Sequence, residues 1–256
     1  MANQKILYVT TEMFPYQEDS NMANMVSKMA LKMHQEGNDV RVFMPRFGQI
    51  SERKFQLHEV IRLSGMNIII NDLDQPLIIK VASLPGERLQ VYFIDNEEYF
   101  KRKQLYIDDE GAPFQDNDER AIFFARGVIE TIKKLNWVPD IIHFNGWMAS
   151  FIPLYLKTFY KNDSYFNDSK LVLSVYNEEN MSLSDTVEEK LKFDNITGLT
   201  AFKEPTFHTF VIEAMDLVDK VVKGDEFLQD DLEAGFQKTA SKKSEYLAPE
   251  DIVNVY

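Results

Sequence analysis

Apolar residues recur along this chain in two alternating rhythms. Ile6-Leu7-Tyr8-Val9 is a short continuous apolar run, the mark of a buried strand. From Ser20 to Glu36 the spacing changes to three and four residues, with Met22, Met25, Val26, Met29, Ala30 and Met33 on one helical face. Gly37 suits the helix end, and Val40–Met44 reads as a second strand closed by Pro45. A strand, a helix and a strand so joined predict a parallel β-α-β unit. Four short apolar runs follow, Phe55–Ile61, Met66–Asn71, Leu77–Ala82 and Leu89–Ile94, with Pro85-Gly86 turning between the last two. They predict an antiparallel hairpin insert.

The second half repeats the alternation. Asp116 or Asn117 caps a helix over 118–135, with acids in its first turn and Lys133-Lys134 in its last. Asp140–Phe144 is a strand, and Gly146 turns into a helix over 147–160 that Pro153 bends or restarts. Leu171–Val175 is a strand, Thr206–Leu217 a helix, Lys220–Lys223 a strand, and Asp225 a cap for a further helix. Residues 177–204 have weak periodicity. The expectation is an α/β chain: a Rossmann-like open, mostly parallel twisted sheet with helices on both faces. The domain is expected over 1–235, with 236–256 a polar C-terminal tail.

Composition narrows the function. The 256 residues include no cysteine, which excludes disulfides and thiolate chemistry and is compatible with a reducing cytoplasm. The charge of −13 argues against nucleic acid as a partner and repels free polyanions on average, although a local patch can differ. No run of eighteen apolar residues exists, so no membrane span is expected. The histidines and the Asp108-Asp109-Glu110 cluster lack metal-ligand spacing, and no metal or cofactor is expected.

Several blocks resemble one family. Met13-Phe14-Pro15-Tyr16, Gly37-Asn38-Asp39-Val40-Arg41-Val42 and Pro45-Arg46-Phe47-Gly48 are similar to the opening of bacterial glycogen synthases and plant starch synthases. So are Phe93-Ile94-Asp95, Asp116-Asn117-Asp118-Glu119-Arg120, Pro139–Trp147 and Pro153–Lys157, in order over residues 4 to 230. The resemblance implies a GT-B N-terminal-type domain, one of two Rossmann-like halves facing across a cleft. In that family, glucose passes from ADP-glucose to the 4-hydroxyl end of an α-1,4-glucan, with retention, and the second half holds most donor contacts.

The chain departs from the family pattern in three places. The phosphate-binding turn, Lys-Thr-Gly-Gly-Leu-Gly-Asp in the family, aligns with Glu18-Asp19-Ser20-Asn21-Met22-Ala23-Asn24, so a cation becomes Glu18 and the glycines are gone. Carboxylates at a helix N-terminus repel phosphate. His-Ala-His-Asp-Trp-His becomes His143-Phe144-Asn145-Gly146-Trp147-Met148, and His-Asn becomes Tyr176-Asn177. The resulting expectation is a degenerate, non-catalytic domain (a pseudoenzyme) that binds an α-glucan or a partner protein, with self-association left open. Two alternatives stand beside it: a glycosyltransferase using ADP-glucose or UDP-glucose whose other domain is supplied separately, and a structural or regulatory protein with no small ligand. No catalytic residue is assigned. The residual ligand-site candidates are Glu18, Ser20, Asn21, His143, Asn145, Trp147, Tyr176 and Asn177.

Overall fold

The computed structural model describes residues 3–17, 20–248, 251 and 255–256. Strand β1 (Lys5–Thr10) leads into helix α1 (Asn21–Gln35) and returns as β2 (Asp39–Pro45). The insert holds α2 (Glu52–Phe55), β3 (His58–Glu59), β4 (Met66–Ile70), β5 (Leu73–Ser83) and β6 (Gln90–Asp95). After α3 (Glu97–Phe100) come α4 (Asn117–Leu135), β7 (Ile141–Asn145), α5 (Phe151–Lys157), β8 (Lys170–Val175) and α6 (Val187–Phe193). The chain closes with α7 (Phe207–Met215), β9 (Lys220–Lys223), α8 (Asp230–Lys238) and β10 (Lys242–Ser244).

The strands are ordered β10-β9-β8-β7-β1-β2-β6-β5-β3, with β4 paired to β5. From β10 to β6 every neighbour is parallel, and β5 runs antiparallel to β6. This is the mostly parallel Rossmann-like sheet that the alternation predicts. The insert differs in two respects: its first run, Phe55–Ile61, gives only the end of α2 and the two-residue strand β3, and its last run is β6, a parallel member of the main sheet beside β2. Chain order moves from β1 to β2 in one direction, and from β7 to β10 in the other. Right-handed crossovers therefore put α1 on one face and α4, α5, α7 and α8 on the other.

Local chemistry explains the elements. The α1 methionine stripe is buried against the sheet, and Ser20 caps the helix by accepting from the Ala23 N–H. Pro153 lies in the first turn of α5, where a missing N–H costs nothing, and the irregularity falls earlier, in a 3-10 turn over Met148–Ser150. The weakly periodic stretch 177–204 contains α6 and a 3-10 turn at Thr200–Lys203. Asp225 does not cap α8, whose first turn follows Gln229. The stretch 236–256, expected as a polar tail, contributes the end of α8, the edge strand β10 parallel to β9, and the buried Val255. A boundary at 235 would cut through α8.

Candidate functional site

The strand order reverses between β1 and β7, and in an open α/β sheet the crevice beyond the carboxyl ends of the strands at such a switch is where ligands bind. A cavity of about 440 Å³ lies there. Its lining comes from the residues that follow each strand: Glu12 after β1, Trp147 after β7, Tyr176 to Glu179 after β8, and Asp225 after β9. Ser20, Asn21 and Met22 bring in the first turn of α1, and Tyr106 and Phe207 close one side.

Tight turns make this convergence physical. Gly146 has φ +88°, and a Cβ there would lie 2.1 Å from the Thr11 hydroxyl oxygen. Gly224 lies under the Tyr176 ring, where a Cβ would come within 2.4 Å of a ring carbon. Trp147 is fully buried and stacked on Phe207 with ring centres 3.7 Å apart. It forms a wall of the cavity and is not an open platform.

Carboxylates dominate the electrostatics. Glu12, Glu178, Glu179 and Asp225 line the cavity, and its described lining residues include no Lys, Arg or His. Burial, reinforced by the charge of Glu12, pushes the Glu178 carboxyl up to about 8, while the Trp147 backbone N–H at 2.7 Å pulls the other way. Among the described residues its second oxygen, Oε1, has no hydrogen-bond partner, nor does the Trp147 indole N–H. Burial also raises Glu12, and the Ser20 hydroxyl that donates to it opposes the rise. Asp225 takes the Asn21 side-chain amide and, at 2.6 Å, the Asn177 backbone N–H. The cavity therefore offers hydroxyl-binding donors and acceptors at neutral pH. It offers no described cation for a phosphate.

Of the residues expected from sequence, Ser20, Asn21, Trp147, Tyr176 and Asn177 line this cavity together. Glu18 lies outside the described residues. Asn145 sits behind the wall, fully buried, accepting from the Tyr176 hydroxyl at 3.3 Å. Asn177 uses its side chain to clamp Phe227 and Gln229, at 2.6 and 2.8 Å. His143 is elsewhere. Two residues before the end of β7, it projects from the sheet face, with Nδ1 2.8 Å from the Tyr256 hydroxyl and Nε2 2.7 Å from Ser174 Oγ. Complete burial drives its pKa down to about 3, so the ring is neutral.

Sequence reasoning missed Glu12, Glu178, Asp225, Tyr106 and Phe207. Their common signal is position: Glu12, Glu178 and Asp225 each follow a parallel strand within three residues of its end. The Glu178 backbone carbonyl also holds the buried His208 ring at 2.9 Å, which fixes the loop that carries the carboxyl.

Comparison with known proteins agrees with this geometry. The family described as the starch synthase catalytic domain matches residues 5–222. A glycogen synthase from Chlorobium limicola is 43% identical over 176 residues, covering 68% of this chain and 36% of that protein. One from Chlorobium luteolum is 40% identical over 198 residues, covering 77% and 40%. The chain thus aligns with about two fifths or less of the length of these relatives. Among solved structures, the catalytic domain of starch synthase IV from Arabidopsis thaliana, bound to ADP and acarbose, superposes with a TM-score of 0.69 at 16% identity, over 86% of this chain and 45% of that one. A sheet ordered about the β1–β7 switch, a cavity at its strand ends and a match over residues 5–222 lead to one conclusion: the chain belongs to the starch synthase catalytic domain family.

Proposed function

We propose that this chain forms one wall of a glucosyl-transferring cleft and works with a second Rossmann-like domain outside these 256 residues. The reaction would move glucose from ADP-glucose or UDP-glucose onto an α-1,4-glucan. The glycogen synthases to which the chain is similar support this reading, as does the fold shared with a starch synthase catalytic domain. In this division of labour, the strand-end cavity takes a neutral glucosyl unit. Glu12, Asn21 and Asp225 address its hydroxyls, and Glu178, whose carboxyl burial raises toward neutral pH, is an acceptor that becomes a donor when protonated. The diphosphate of the donor is left to the other domain.

The observation that carries this reading is the Glu178 Oε1, unpaired among the described residues, in a cavity lined by four carboxylates and no described cation. A buried polar atom without a partner costs free energy unless a ligand completes it.

The acidity of the same cavity favours a second reading, in which the phosphate site is dismantled and the chain binds glucan, or a partner protein, without catalysis. One experiment separates the two. The purified chain is mixed with the separately produced C-terminal domain of the Chlorobium limicola glycogen synthase, ADP-glucose and maltoheptaose, and maltoheptaose binding is measured in parallel. Elongation that needs both proteins supports the transferase. Glucan binding without elongation supports the second reading. Neither binding nor elongation rejects both.

A further inference from the structure

The opposite edge of the sheet carries the reverse charge. Lys170, Lys220 and Lys242 are the first residues of β8, β9 and β10. The register pairs Val172 with Lys220 and Lys220 with Lys242. Side chains alternate along a strand, so Lys170 and Val172 share a face, and all three lysines project from it. They border a cavity of about 630 Å³ whose other walls include Ile141, Val172, Asp219 and Tyr256.

These lysines are poorly compensated. Lys220 and Lys242 are direct cross-strand neighbours, about 4.8 Å apart by strand spacing, where like charges destabilise a sheet. Burial and then Lys242 hold the Lys220 ammonium below its ordinary value. Lys220 donates to the Val255 carbonyl at 2.7 Å, a neutral acceptor. Asp219 uses one carboxylate oxygen on the Leu171 N–H at 2.8 Å and forms no ion pair with a lysine among the described residues. Such a cluster is out of keeping with a chain whose net charge is −13. Among the described residues no helix covers this part of the sheet face, and Val255 and Tyr256 pack beside the lysines. Crossover handedness places α5, α7 and α8 on the other side, and α1 covers only the β1–β2 part of this one.

We propose that Lys170, Lys220 and Lys242 form a second binding site, for the phosphate or diphosphate end of a small anionic metabolite, at the edge of the sheet opposite the strand-end cavity. The phosphate oxygens would bridge the three ammonium groups and relieve their mutual repulsion, and the apolar remainder of the ligand would lie against Val172 and Tyr256. The site is separate from the acidic cavity in place and in charge. The Tyr256 hydroxyl, 2.7 Å from that of Tyr8 and 2.8 Å from His143, ties this site to the buried centre of the sheet.

The test is calorimetric titration of the full chain with inorganic pyrophosphate at constant ionic strength, with amide chemical shifts of the chain followed in the same series. Saturable binding is expected, with shifts concentrated at Val172, Lys220 and Val222. Lys242→Gln and Lys170→Gln, both at exposed positions, should each weaken it about tenfold or more, the loss of one charge-assisted contact. Glu178→Gln, in the other cavity, should leave it unchanged. Absence of saturation, or equal affinity in the lysine variants, overturns the proposal. Tight binding of polyglutamate with no binding of pyrophosphate also overturns it, and assigns the face to an acidic protein.

Discussion

Replacing Glu178 with Gln tests the electrostatics of the strand-end cavity. The carboxyl moves from an ordinary 4.5 to about 8 in the folded chain, chiefly through burial and secondarily through Glu12. For an acid whose folded pKa is raised, the protonated form belongs to the folded state. Between pH 4.5 and about 8 the folded chain holds a proton that the unfolded chain has released, so stability falls as pH rises through this window. Taken at face value, the displacement costs about 5 kcal/mol above pH 8. The side chain is only half-buried by area, and solvent screening brings the working figure to about 2 kcal/mol. Gln keeps the shape and the acceptor for the Trp147 N–H but cannot ionise. At pH 5 the two proteins should be alike. At pH 8.5 the variant should be more stable by about 2 kcal/mol, or about 4–8 °C in melting temperature. Urea titrations at half-unit pH steps from 5 to 9 read this directly. Parallel pH profiles for the two proteins would refute the reasoning, since they would mean that Glu178 ionises as a solvated carboxylate.

Other outcomes follow from the same geometry. The buried His143 ring, with its pKa near 3, should show no titration of its Cε1–H resonance from pH 8 down to 5; its stabilisation is present above 6.5 and is lost as pH falls toward 3, and a midpoint near 6.5 would contradict its placement. Gly224→Ala drives a Cβ into the Tyr176 ring and should cost about 1–3 kcal/mol in urea unfolding, with an unchanged midpoint counting against the packing. Asp225→Ala removes the acceptor shared by Asn21 and Asn177 and should cost about 1–3 kcal/mol, leaving amides at 21 and 177 exchanging faster; unchanged exchange would contradict the shared acceptor.

The fold was largely legible because its signals are local. The methionine stripe of α1, the capping Ser20 and the apolar runs of β1, β2, β7 and β8 lie within single elements, where period and caps decide the outcome. The role of β6 was not legible. A short apolar run looks the same whether it joins a hairpin or a parallel sheet, and only its pairing with β2 distinguishes them.

The site was half legible. Ser20, Asn21, Trp147, Tyr176 and Asn177 could be found because they occupy motif positions. Glu12 and Glu178 could not, because each is a lone carboxylate in its own stretch of chain, and sheet order alone brings them into one cavity. His143 failed for a different reason. Proximity to a strand end in sequence is not proximity to the rim: two residues inside β7, its ring lies on the sheet face beside Tyr8, with ring centres 5.5 Å apart. Asp225 looked like a helix cap because its residue type suits one, but the intervening residues delay α8 and leave its carboxylate to Asn21 and Asn177.

The central claim is that the acidic strand-end cavity admits a neutral glucosyl unit and refuses a nucleoside diphosphate. The most direct measurement is calorimetric titration of the chain carrying Lys170→Gln and Lys242→Gln, which silences the basic edge, with maltoheptaose and separately with ADP. Saturable uptake of maltoheptaose that is weakened by Glu178→Ala, with no saturable uptake of ADP, is the predicted result. Tight one-to-one capture of ADP by that variant would contradict it.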